Sequence, residues 1–253
     1  MHDVAVIGGG VLGLSVAYAC LARGLSTAVY EAGRVGDGAS GGIVGALSPH
    51  SPDRWNAKKA FQLAALRAAP SFWGQIEQES GRPTGYAQTG RVMLLTSARA
   101  RAKAEAQAAE AALRWGGATW AVTEAPDWLA PSLHGVVRES LSAKLFPRLA
   151  VRALAEAVRR RGGEIHEQTP VRAEGPGFAT SASPLSARRM VIAAGLPGFR
   201  LAGLGDLGDS VKGQAALLDV ALPAGRPMVY GDGLYILGQG RQVAVGSTSE
   251  PGV

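Results

Sequence analysis

The sequence has very little of the residue types that cross-link chains or hold metals. It contains one cysteine among 253 residues, Cys20, so no disulfide can form within the chain. Persistent disulfides belong to oxidising compartments, so this scarcity predicts a reducing one, and we expect a cytoplasmic protein. The histidines are scattered without a spacing such as HxxxH, which predicts no metal site. We expect solvated or structural roles for all four: His2, His50, His134 and His166.

Nucleophile motifs and membrane segments are missing as well. There is no GxSxG and no paired cysteine, which argues against serine-hydrolase and dithiol chemistry. Residues 4–22 carry no charge over nineteen residues, which is close to a membrane-spanning length. That stretch contains four glycines, follows the acid Asp3 and lacks a basic flank, which is wrong for a signal peptide. No transmembrane segment is predicted.

A single-sign charge block is also lacking. The net charge of +6 comes from 26 Lys+Arg against 20 Asp+Glu, and the pI is near 9.8. A basic balance can indicate a nucleic-acid or membrane partner. Here the arginines are spread along alanine-rich helical segments, and residues 159–161 end such a segment, where cations favour the helix dipole. Charge alone therefore predicts no nucleic-acid partner.

What the chain does have is a glycine turn between a strand pattern and a helix pattern. A short β-branched run at residues 4–7 leads into GGGVLG at residues 8–13, and apolar residues then recur at helical steps. A second β-branched run, residues 26–30, ends in Glu31, eighteen residues beyond Gly13. Strand, turn, helix, strand and acid in this order predict a dinucleotide-binding βαβ unit.

Each residue of this fingerprint has a physical role. We expect Gly8 to permit the turn, Gly10 to let the backbone approach a pyrophosphate, and Gly13 to let the helix pack close to the strand. The helix N-terminus offers free N–H groups and a partial positive charge to the phosphates. Glu31 would accept hydrogen bonds from the adenosine ribose hydroxyls.

The next stretch, residues 36–51, reads GDGASGGIVGALSPHS. Its side chains are too small to build a core, so it either is flexible or lies against a ligand. Because it directly follows the predicted ribose-binding acid, we favour a loop that runs from the adenosine toward the far end of the cofactor.

The rest of the chain mixes helix and strand patterns. Helices are predicted at residues 57–80, broken or kinked at Pro70, from a Ser97 cap to about Trp115, and at residues 149–161. We expect a β-hairpin at residues 136–146, small antiparallel strands within 170–190 and a buried strand at 189–195. Further strands are predicted at residues 90–96, 164–167, 211–220, 228–230, 234–237 and 242–246.

These elements predict an α/β fold in two parts. A Rossmann-like βαβ nucleotide-binding domain is assembled discontinuously from residues 1–51 and about 148–203. A second, sheet-rich α+β domain for the substrate takes residues 52–147 and 204–253. A reductase that uses NAD(P)H to reduce a bound flavin usually carries two dinucleotide fingerprints. Only one is present here, so a hydride most simply passes straight from the substrate to the cofactor.

Four motifs, in order along the chain, resemble the D-amino-acid oxidase/glycine oxidase (DAO) family of FAD-dependent amine oxidases. They are VIGGGVLG…VYE (residues 6–31), GASGGIVGALSPH (38–50), PRLAVRALAEAVRRRGGEIHEQTPV (147–171) with VIAAG (191–195), and VKGQ…GDGLYI…VAVGST (211–248). The resemblance implies FAD as the cofactor, bound non-covalently because no His or Cys sits beside the predicted flavin contacts.

The resemblance also implies site residues. Without this resemblance, Tyr235 would be interpreted as a core or interface tyrosine. Within GDGLYI it matches the family's active-site tyrosine, whose hydroxyl meets the substrate carboxylate. The resemblance and the fingerprint together give a set of cofactor-binding residues: Gly8, Gly10, Val11, Leu12, Gly13, Glu31, Ala32, Ala39, Ser40, Val44, Gly45, Ala46, Val171 and Gly195.

The family pattern continues with a WAGLRP-like strand, whose arginine clamps the substrate carboxylate, and a glycine-rich closing loop; the 253 residues contain neither. We therefore expect residues 1–253 alone to turn over glycine or D-alanine negligibly.

The sequence predicts an FAD-dependent oxidoreductase that oxidises the C–N bond of a small amine or amino acid, with oxygen or another electron acceptor. Two alternatives stay open. One is an oxidase acting on the carboxymethylaminomethyl group of the tRNA wobble uridine, and the other is a truncated flavoprotein without activity. A homo-oligomer is left open.

Overall fold

The computed structural model describes residues 1–205, 207–223 and 225–251. The helices are α1 (Val11–Leu21), α2 (Ala57–Ser80), α3 (Ala98–Arg114), α4 (Pro147–Arg160) and α5 (Pro197–Leu201). The strands are β1 (His2–Ile7), β2 (Thr27–Tyr30), β3 (Ala46–Leu47), β4 (Arg91–Leu94), β5 (Trp120–Thr123), β6 (Val136–Glu139), β7 (Ala143–Lys144), β8 (Glu164–His166), β9 (Arg172–Glu174), β10 (Gly177–Ala179), β11 (Ala187–Ile192), β12 (Val211–Lys212), β13 (Ala215–Leu218), β14 (Met228–Gly231), β15 (Leu234–Gln239), β16 (Gln242–Gly246) and β17 (Glu250–Pro251).

The glycine fingerprint lies in a four-stranded sheet with the order β11-β1-β2-β8. All three pairings are parallel, as the βαβ prediction requires. The last four residues of β1 are buried, and α1, α2 and α4 share a core with them. Helix α4 is rich in buried Ala, Val and Leu, which lets α1 and α2 both approach it closely. We call this the parallel sheet.

A second, seven-stranded sheet has the order β13-β16-β15-β14-β4-β6-β5. Its pairings are antiparallel except for β14 with β4, whose residues 91–93 run parallel to residues 228–230. Helix α3 covers one end, where Ala104 packs with Leu95 and Val137. The predicted α/β fold with a second, sheet-rich part is confirmed, and we call this second sheet the large sheet.

Helix α2 matches the predicted bounds of residues 57–80, but Pro70 does not break it. Pro70 is exposed, whereas Ala69 and Trp73 beside it are buried in the core of the parallel sheet. Packing of this face outweighs the missing backbone N–H of the proline. Because this helix joins the core of the parallel sheet, the proposed division into two domains stays a prediction.

Two strand predictions were wrong. Residues 136–146 do not form a hairpin, because β6 pairs with β4 and β5 while β7 pairs with β3. The Glu139 carboxylate accepts the backbone N–H groups of Leu141 and Ser142, so the chain turns out of the large sheet there. The strand predicted as buried at residues 189–195 is β11, an edge strand with exposed Arg188 and Arg189.

Other predicted elements are present with small differences. Ser97 does cap α3, accepting the Ala100 N–H at 3.1 Å. The strand predicted at 211–220 is divided into β12 and β13, both exposed. In the described part of the chain, no helix has both the length and the apolar character needed to cross a membrane.

Candidate functional site

The glycine turn is built so tightly that side chains have no room in it. Gly8 has φ +114°, and a Cβ there would lie 2.4 Å from the carbonyl oxygen of Ala193, which follows β11. A Cβ at Gly13 would lie 2.0 Å from the carbonyl oxygen of Gly8. Both distances are far below van der Waals contact, so the turn requires glycine at these positions. The expected role of Gly13, close packing of helix against strand, is what the structure shows.

The N-terminus of α1 lies directly after this turn. Its N-cap, Gly10, supplies no side-chain cap, and no acidic residue lies in the first turn. The Val11 N–H donates to Ser40 Oγ at 3.0 Å, while the Leu12 side chain is 74% exposed. The end of the helix dipole is therefore open to an anion at Leu12, and Ser40 lies beside it.

Glu31 folds back over the glycine turn. One carboxylate oxygen accepts the Gly9 N–H at 2.6 Å, and the other accepts the Gly33 N–H at 2.8 Å. A carboxylate has about four acceptor positions, so these two bonds fix the group and leave capacity for ribose hydroxyls. Glu31 is thus held by backbone donors in the position that the fingerprint predicts.

Two other predicted contacts, Ala32 and Val171, belong to adjacent segments. Ala32 is exposed and follows Glu31. The Glu31 carbonyl oxygen accepts the Thr169 N–H at 2.8 Å, which aligns the chain before Val171 with the end of β2. The predicted adenine contact therefore lies on a segment hydrogen-bonded to the predicted ribose contact.

The loop at residues 36–51 is fixed by close backbone contacts. Ala39 and Ser40 lie in a 3₁₀ turn, Ala39–Gly41. A Cβ at Gly41 would lie 2.0 Å from the Gly36 carbonyl oxygen, and one at Gly45 would lie 2.2 Å from the Leu145 carbonyl oxygen. Such contacts are incompatible with a freely flexible loop, and they favour the ligand-facing interpretation.

The far end of this loop meets the large sheet. Val44 and Ala46 pack with Tyr235 against buried Met228 and Leu237. Strand β3 also pairs with β7, which places Ala46 opposite Lys144. The structure therefore brings the predicted flavin contacts and the predicted active-site tyrosine into one cluster.

Polar groups around this cluster hold the backbone of the large sheet. Lys144 Nζ donates to the Gly238 carbonyl oxygen at 2.8 Å, and burial lowers the pKa of this lysine. The Gln239 side-chain amide donates to the carbonyl oxygen of Ile43. Loop and sheet are joined by hydrogen bonds as well as by apolar contact.

Two further features bear on whether a nucleotide cofactor fits. Ser48 Oγ, just after β3, is buried and has no partner among the described residues, which is unusual for a buried hydroxyl. Gly195 has φ +62° and open space where a Cβ would stand. With the open helix terminus, the fixed carboxylate and the glycine-lined loop, the residues present fit an extended dinucleotide.

The hydroxyl of Tyr235 is not free of protein partners. Tyr235 on β15 lies opposite Tyr230 on β14, with ring centroids 4.8 Å apart. Arg91 Nη1 donates to Tyr235 Oη at 3.0 Å, and Arg91 Nε lies 3.2 Å from a carboxylate oxygen of Glu139. Both charged side chains are buried, with 7% and 4% of the residue exposed.

Comparison with known proteins identifies the fold and the family. A sequence model described as FAD dependent oxidoreductase, DAO, matches residues 3–252. The chain belongs to the DAO family. It is 27% identical over 281 residues to a glycine oxidase of Geobacillus kaustophilus, covering 99% of this chain and 71% of the relative. It is 29% identical over 265 residues to a glycine oxidase of Bacillus licheniformis, covering 99% and 70%.

A solved structure shows the same fold. The crystal structure of glycine oxidase from Geobacillus kaustophilus matches with a TM-score of 0.85 at 23% identity, over 100% of this chain and 72% of that one. As a DAO protein, the chain is an FAD-dependent oxidoreductase, so the predicted cofactor, FAD, and the predicted enzyme class are confirmed. The individual cofactor contacts and the role of Tyr235 stay predictions.

Sequence reasoning missed Arg91 and Glu139. Both stand in short apolar strand patterns, GRVMLL and GVVRES, where a central strand is expected to exclude charge. A charged residue within an apolar strand pattern was the signal that could have revealed them, but it does not show that Arg91 pairs with Glu139. Their pairing depends on the register of β4 with β6, which the sequence does not specify.

Two of the four histidines, His2 on β1 and His166 on β8, belong to the parallel sheet. His2 and His166 both contact one carboxylate oxygen of Glu164, at 3.7 and 3.0 Å, and His166 stacks on Tyr30. No group of three potential metal ligands occurs within the described ranges. A cleft of about 360 Å³ lies beside α4. Its lining includes three acidic residues, Asp37, Glu156 and Glu167, and four arginines: Arg34, Arg82, Arg152 and Arg159.

Proposed function

We propose that this protein oxidises the C–N bond of a small amino acid or amine. The amine loses two electrons and two protons to become an imine. Water then hydrolyses the imine to a 2-oxo acid and ammonia when the substrate is a primary amino acid, or to a 2-oxo acid and a primary amine when it is a secondary one. The observation that carries this proposal is the packing of Val44 and Ala46 with Tyr235, which puts the loop following the nucleotide site beside a polar group in an apolar cluster. The likeness to two glycine oxidases supports a small amino acid as substrate.

The chain's own residues would divide the work. The open N-terminus of α1 and Ser40 would hold the pyrophosphate, and Glu31 would hold the ribose. Tyr235 would donate a hydrogen bond to the substrate carboxylate and so orient the Cα–H bond. The apolar neighbours Val44, Met228 and Leu237 would exclude water from the reacting atoms. FAD, when bound, supplies a ring that accepts the hydride.

A single-turnover experiment tests this function. Under anaerobic conditions, glycine, D-alanine, sarcosine and iminodiacetate are each mixed with the purified, FAD-loaded protein at stoichiometric concentration. Because residues 1–253 alone are expected to turn over glycine and D-alanine negligibly, we expect only slow bleaching of the flavin absorbance, by at least one of the four, and Tyr235→Phe to slow it further. If the flavin of the folded protein stays oxidised with every amine tested, the result would contradict the proposed function and favour the alternative of a truncated flavoprotein without activity.

The attachment of FAD is tested separately. Acid precipitation should release yellow flavin into the supernatant, because the loop residues 43–47 next to the predicted flavin contacts include no histidine or cysteine. Colour retained in the pellet would contradict non-covalent binding.

The tRNA oxidase is a second candidate because of one observation, the cleft with four arginines beside α4. Binding to such a cleft depends strongly on salt, because phosphate contacts release counterions. Retention of tRNA at low salt that is lost by Arg152→Ala would favour this candidate. The same retention by the variant would remove the cleft from consideration.

A further inference from the structure

The Tyr235 cluster contains a buried ion pair for which the proposed function gives no role. Arg91 on β4 and Glu139 on β6 are directly opposite in the antiparallel ladder. Their side chains are 7% and 0% exposed. Burying two charges is costly unless the geometry is good and the remaining polar atoms are satisfied. Such a pair in the middle of a sheet calls for a reason beyond stability.

Glu139 is held in place by its own turn. One oxygen accepts the N–H groups of Leu141 and Ser142 at 2.8 and 3.0 Å, and the other accepts the Ser142 hydroxyl. The second oxygen also faces Arg91 Nε at 3.2 Å, although the angle there is too poor for a hydrogen bond. The carboxylate is therefore a fixed counter-charge that orients the guanidinium.

The guanidinium in turn constrains Tyr235. A guanidinium can only donate, so in the 3.0 Å contact the phenol oxygen accepts from Arg91 Nη1. A phenol has a single O–H donor, and that donor must point away from Arg91. Tyr230, whose ring centroid lies 5.8 Å from Arg91 Cζ, covers another side of the same guanidinium. The Tyr235 hydroxyl is thus held with its hydrogen available to a further acceptor.

We propose that Arg91 is a positioning residue, which fixes the Tyr235 O–H as the donor to the substrate carboxylate while Glu139 holds the guanidinium in place. This inference rests on the proposed function, because it takes the carboxylate to bind at Tyr235. Its rival is a purely structural pair that locks β4 against β6. A structural pair changes melting temperature alone, whereas a positioning residue also changes the hydrogen bonding of the phenol and the binding of carboxylates.

The first experiment reads the phenol directly. The tyrosine Fermi doublet in the Raman spectrum changes its intensity ratio when the phenol oxygen accepts a hydrogen bond from a charged donor. The difference between wild type and Tyr235→Phe isolates Tyr235 among the five tyrosines. We expect an acceptor signature in the Arg91-containing protein that is lost in the double variant Arg91→Gln/Glu139→Gln, which leaves no unpaired buried charge. The same signature in both backgrounds would overturn the proposal.

The second experiment measures ligand binding without turnover. Acetate is titrated into FAD-loaded protein, the flavin absorbance reports binding, and acetamide serves as the uncharged control. We expect Tyr235→Phe to weaken acetate binding about tenfold or more, the effect of losing a hydrogen bond to a charged group. Arg91→Gln/Glu139→Gln should have a smaller effect, about fivefold, because the Tyr235 O–H remains and only its orientation is lost. The triple variant should be no weaker than Tyr235→Phe, because both changes act on one hydrogen bond.

Each departure from that pattern has one meaning. Additive losses in the triple variant would mean that Arg91 contacts the ligand itself, which overturns a positioning role. Weakening in Tyr235→Phe with none in Arg91→Gln/Glu139→Gln would overturn the role of Arg91 and leave the proposed function standing. Unchanged acetate binding in Tyr235→Phe would overturn the proposed carboxylate site and this inference together.

Two further variants serve as controls, the first for misfolding and the second for the general effect of neutralising an ion pair. Arg91→Lys keeps the charge beside Glu139 but lacks the planar fork that reaches two partners, so it should fold and show the weakened acetate binding and the lost Raman signature. Acetate binding and a Raman signature equal to wild type in Arg91→Lys would overturn the proposal. Arg114→Gln/Glu110→Gln makes the same chemical change at an exposed pair on α3, 3.0 Å apart, and should leave both readouts unchanged.

Discussion

The two ends of the candidate site are built on opposite principles. The glycine turn depends on the absence of side chains, because backbone atoms lie within 2.4 Å of where a Cβ would stand at Gly8 and Gly13. The Tyr235 end depends instead on large charged side chains, because Arg91 and Glu139 place two charges in the interior of the large sheet. The glycines of the first end lie within one short motif, residues 8–13, whereas the charged and phenolic groups of the second end lie 48 to 144 positions apart. A local motif can therefore reveal the first end but not the second.

The largest effect should come from splitting the buried pair. Arg91→Met leaves Glu139 as an unpaired buried charge, and breaking such a pair costs about 3–5 kcal/mol of the free energy of unfolding. The matched control is Arg114→Met on α3, whose pair with Glu110 is more than a third exposed and is worth about 0.5 kcal/mol or less. Urea unfolding compares them, and equal losses would mean that depth of burial does not distinguish the two pairs.

Filling the glycine turn should come next. Gly13→Ala puts a methyl group 2.0 Å from the Gly8 carbonyl oxygen, so α1 must move. We expect a loss of about 2–3 kcal/mol, typical of overpacking, together with a fall in bound FAD measured by absorbance. Gly74→Ala on the exposed face of α2 meets nothing within 4 Å and should instead stabilise the protein, by about 0.5–1 kcal/mol. A Gly13 variant with full FAD content would show that the turn tolerates side chains.

Removing the fixed carboxylate should have an intermediate effect on FAD affinity. Glu31→Ala should weaken FAD binding by about 1–3 kcal/mol, the range for charged hydrogen bonds, and NAD should not substitute for FAD. Part of the loss would come from the turn itself, since Glu31 also holds the Gly9 and Gly33 N–H groups. Glu31→Gln, which retains one acceptor oxygen, should lose less. Calorimetric titration of apoprotein gives both values, and unchanged affinity in Glu31→Ala would remove this residue from the site.

The smallest expected effect concerns an ion pair at intermediate depth. Arg161 donates to both oxygens of Glu79, joining α2 to the end of α4, and lowers the pKa of Glu79 from 4.5 to about 2. Because the folded-state pKa lies below the unfolded one, this stabilisation is complete above about pH 4.5 and is lost as the pH falls toward 2. The pair is about a quarter exposed, so we expect on the order of 1–2 kcal/mol.

The pH dependence of thermal unfolding measures that contribution. Glu79→Gln removes the titrating group, so its unfolding free energy should vary less than that of wild type between pH 4.5 and 2. Identical pH profiles would show that other carboxyl groups carry the acid sensitivity. The comparison with Arg91 and Glu139 then relates the value of an ion pair to its burial along one chain.

The sequence was informative wherever structure is local. The βαβ unit, the bounds of α2 and the Ser97 cap were predicted, since periodicity and turn chemistry determine them over a few residues. The FAD cofactor was instead predicted from the resemblance of four motifs to the DAO family. The residues 136–146 were misread because their alternating pattern suits either a hairpin or two strands with separate partners. What separates these is the Glu139 side chain, which takes backbone donors from Leu141 and Ser142. The Arg91 contact with Tyr235 depends on two strand registers, β4 with β14 and β14 with β15, and no single segment of the sequence specifies them.

The order of strands in the two sheets has a consequence for synthesis of the chain. β1 pairs with a strand that begins 185 residues later, and β4 pairs with one that begins 137 residues later. At translation rates of about 5–20 residues per second, the nascent β1 edge waits on the order of 10–40 s for β11. Until then, Gly8 has no Ala193 to pack against, and an apolar strand edge is open to other chains. The feature that shapes the cofactor turn thus also leaves one edge of β1 unpaired on the growing polypeptide until β11 has been made.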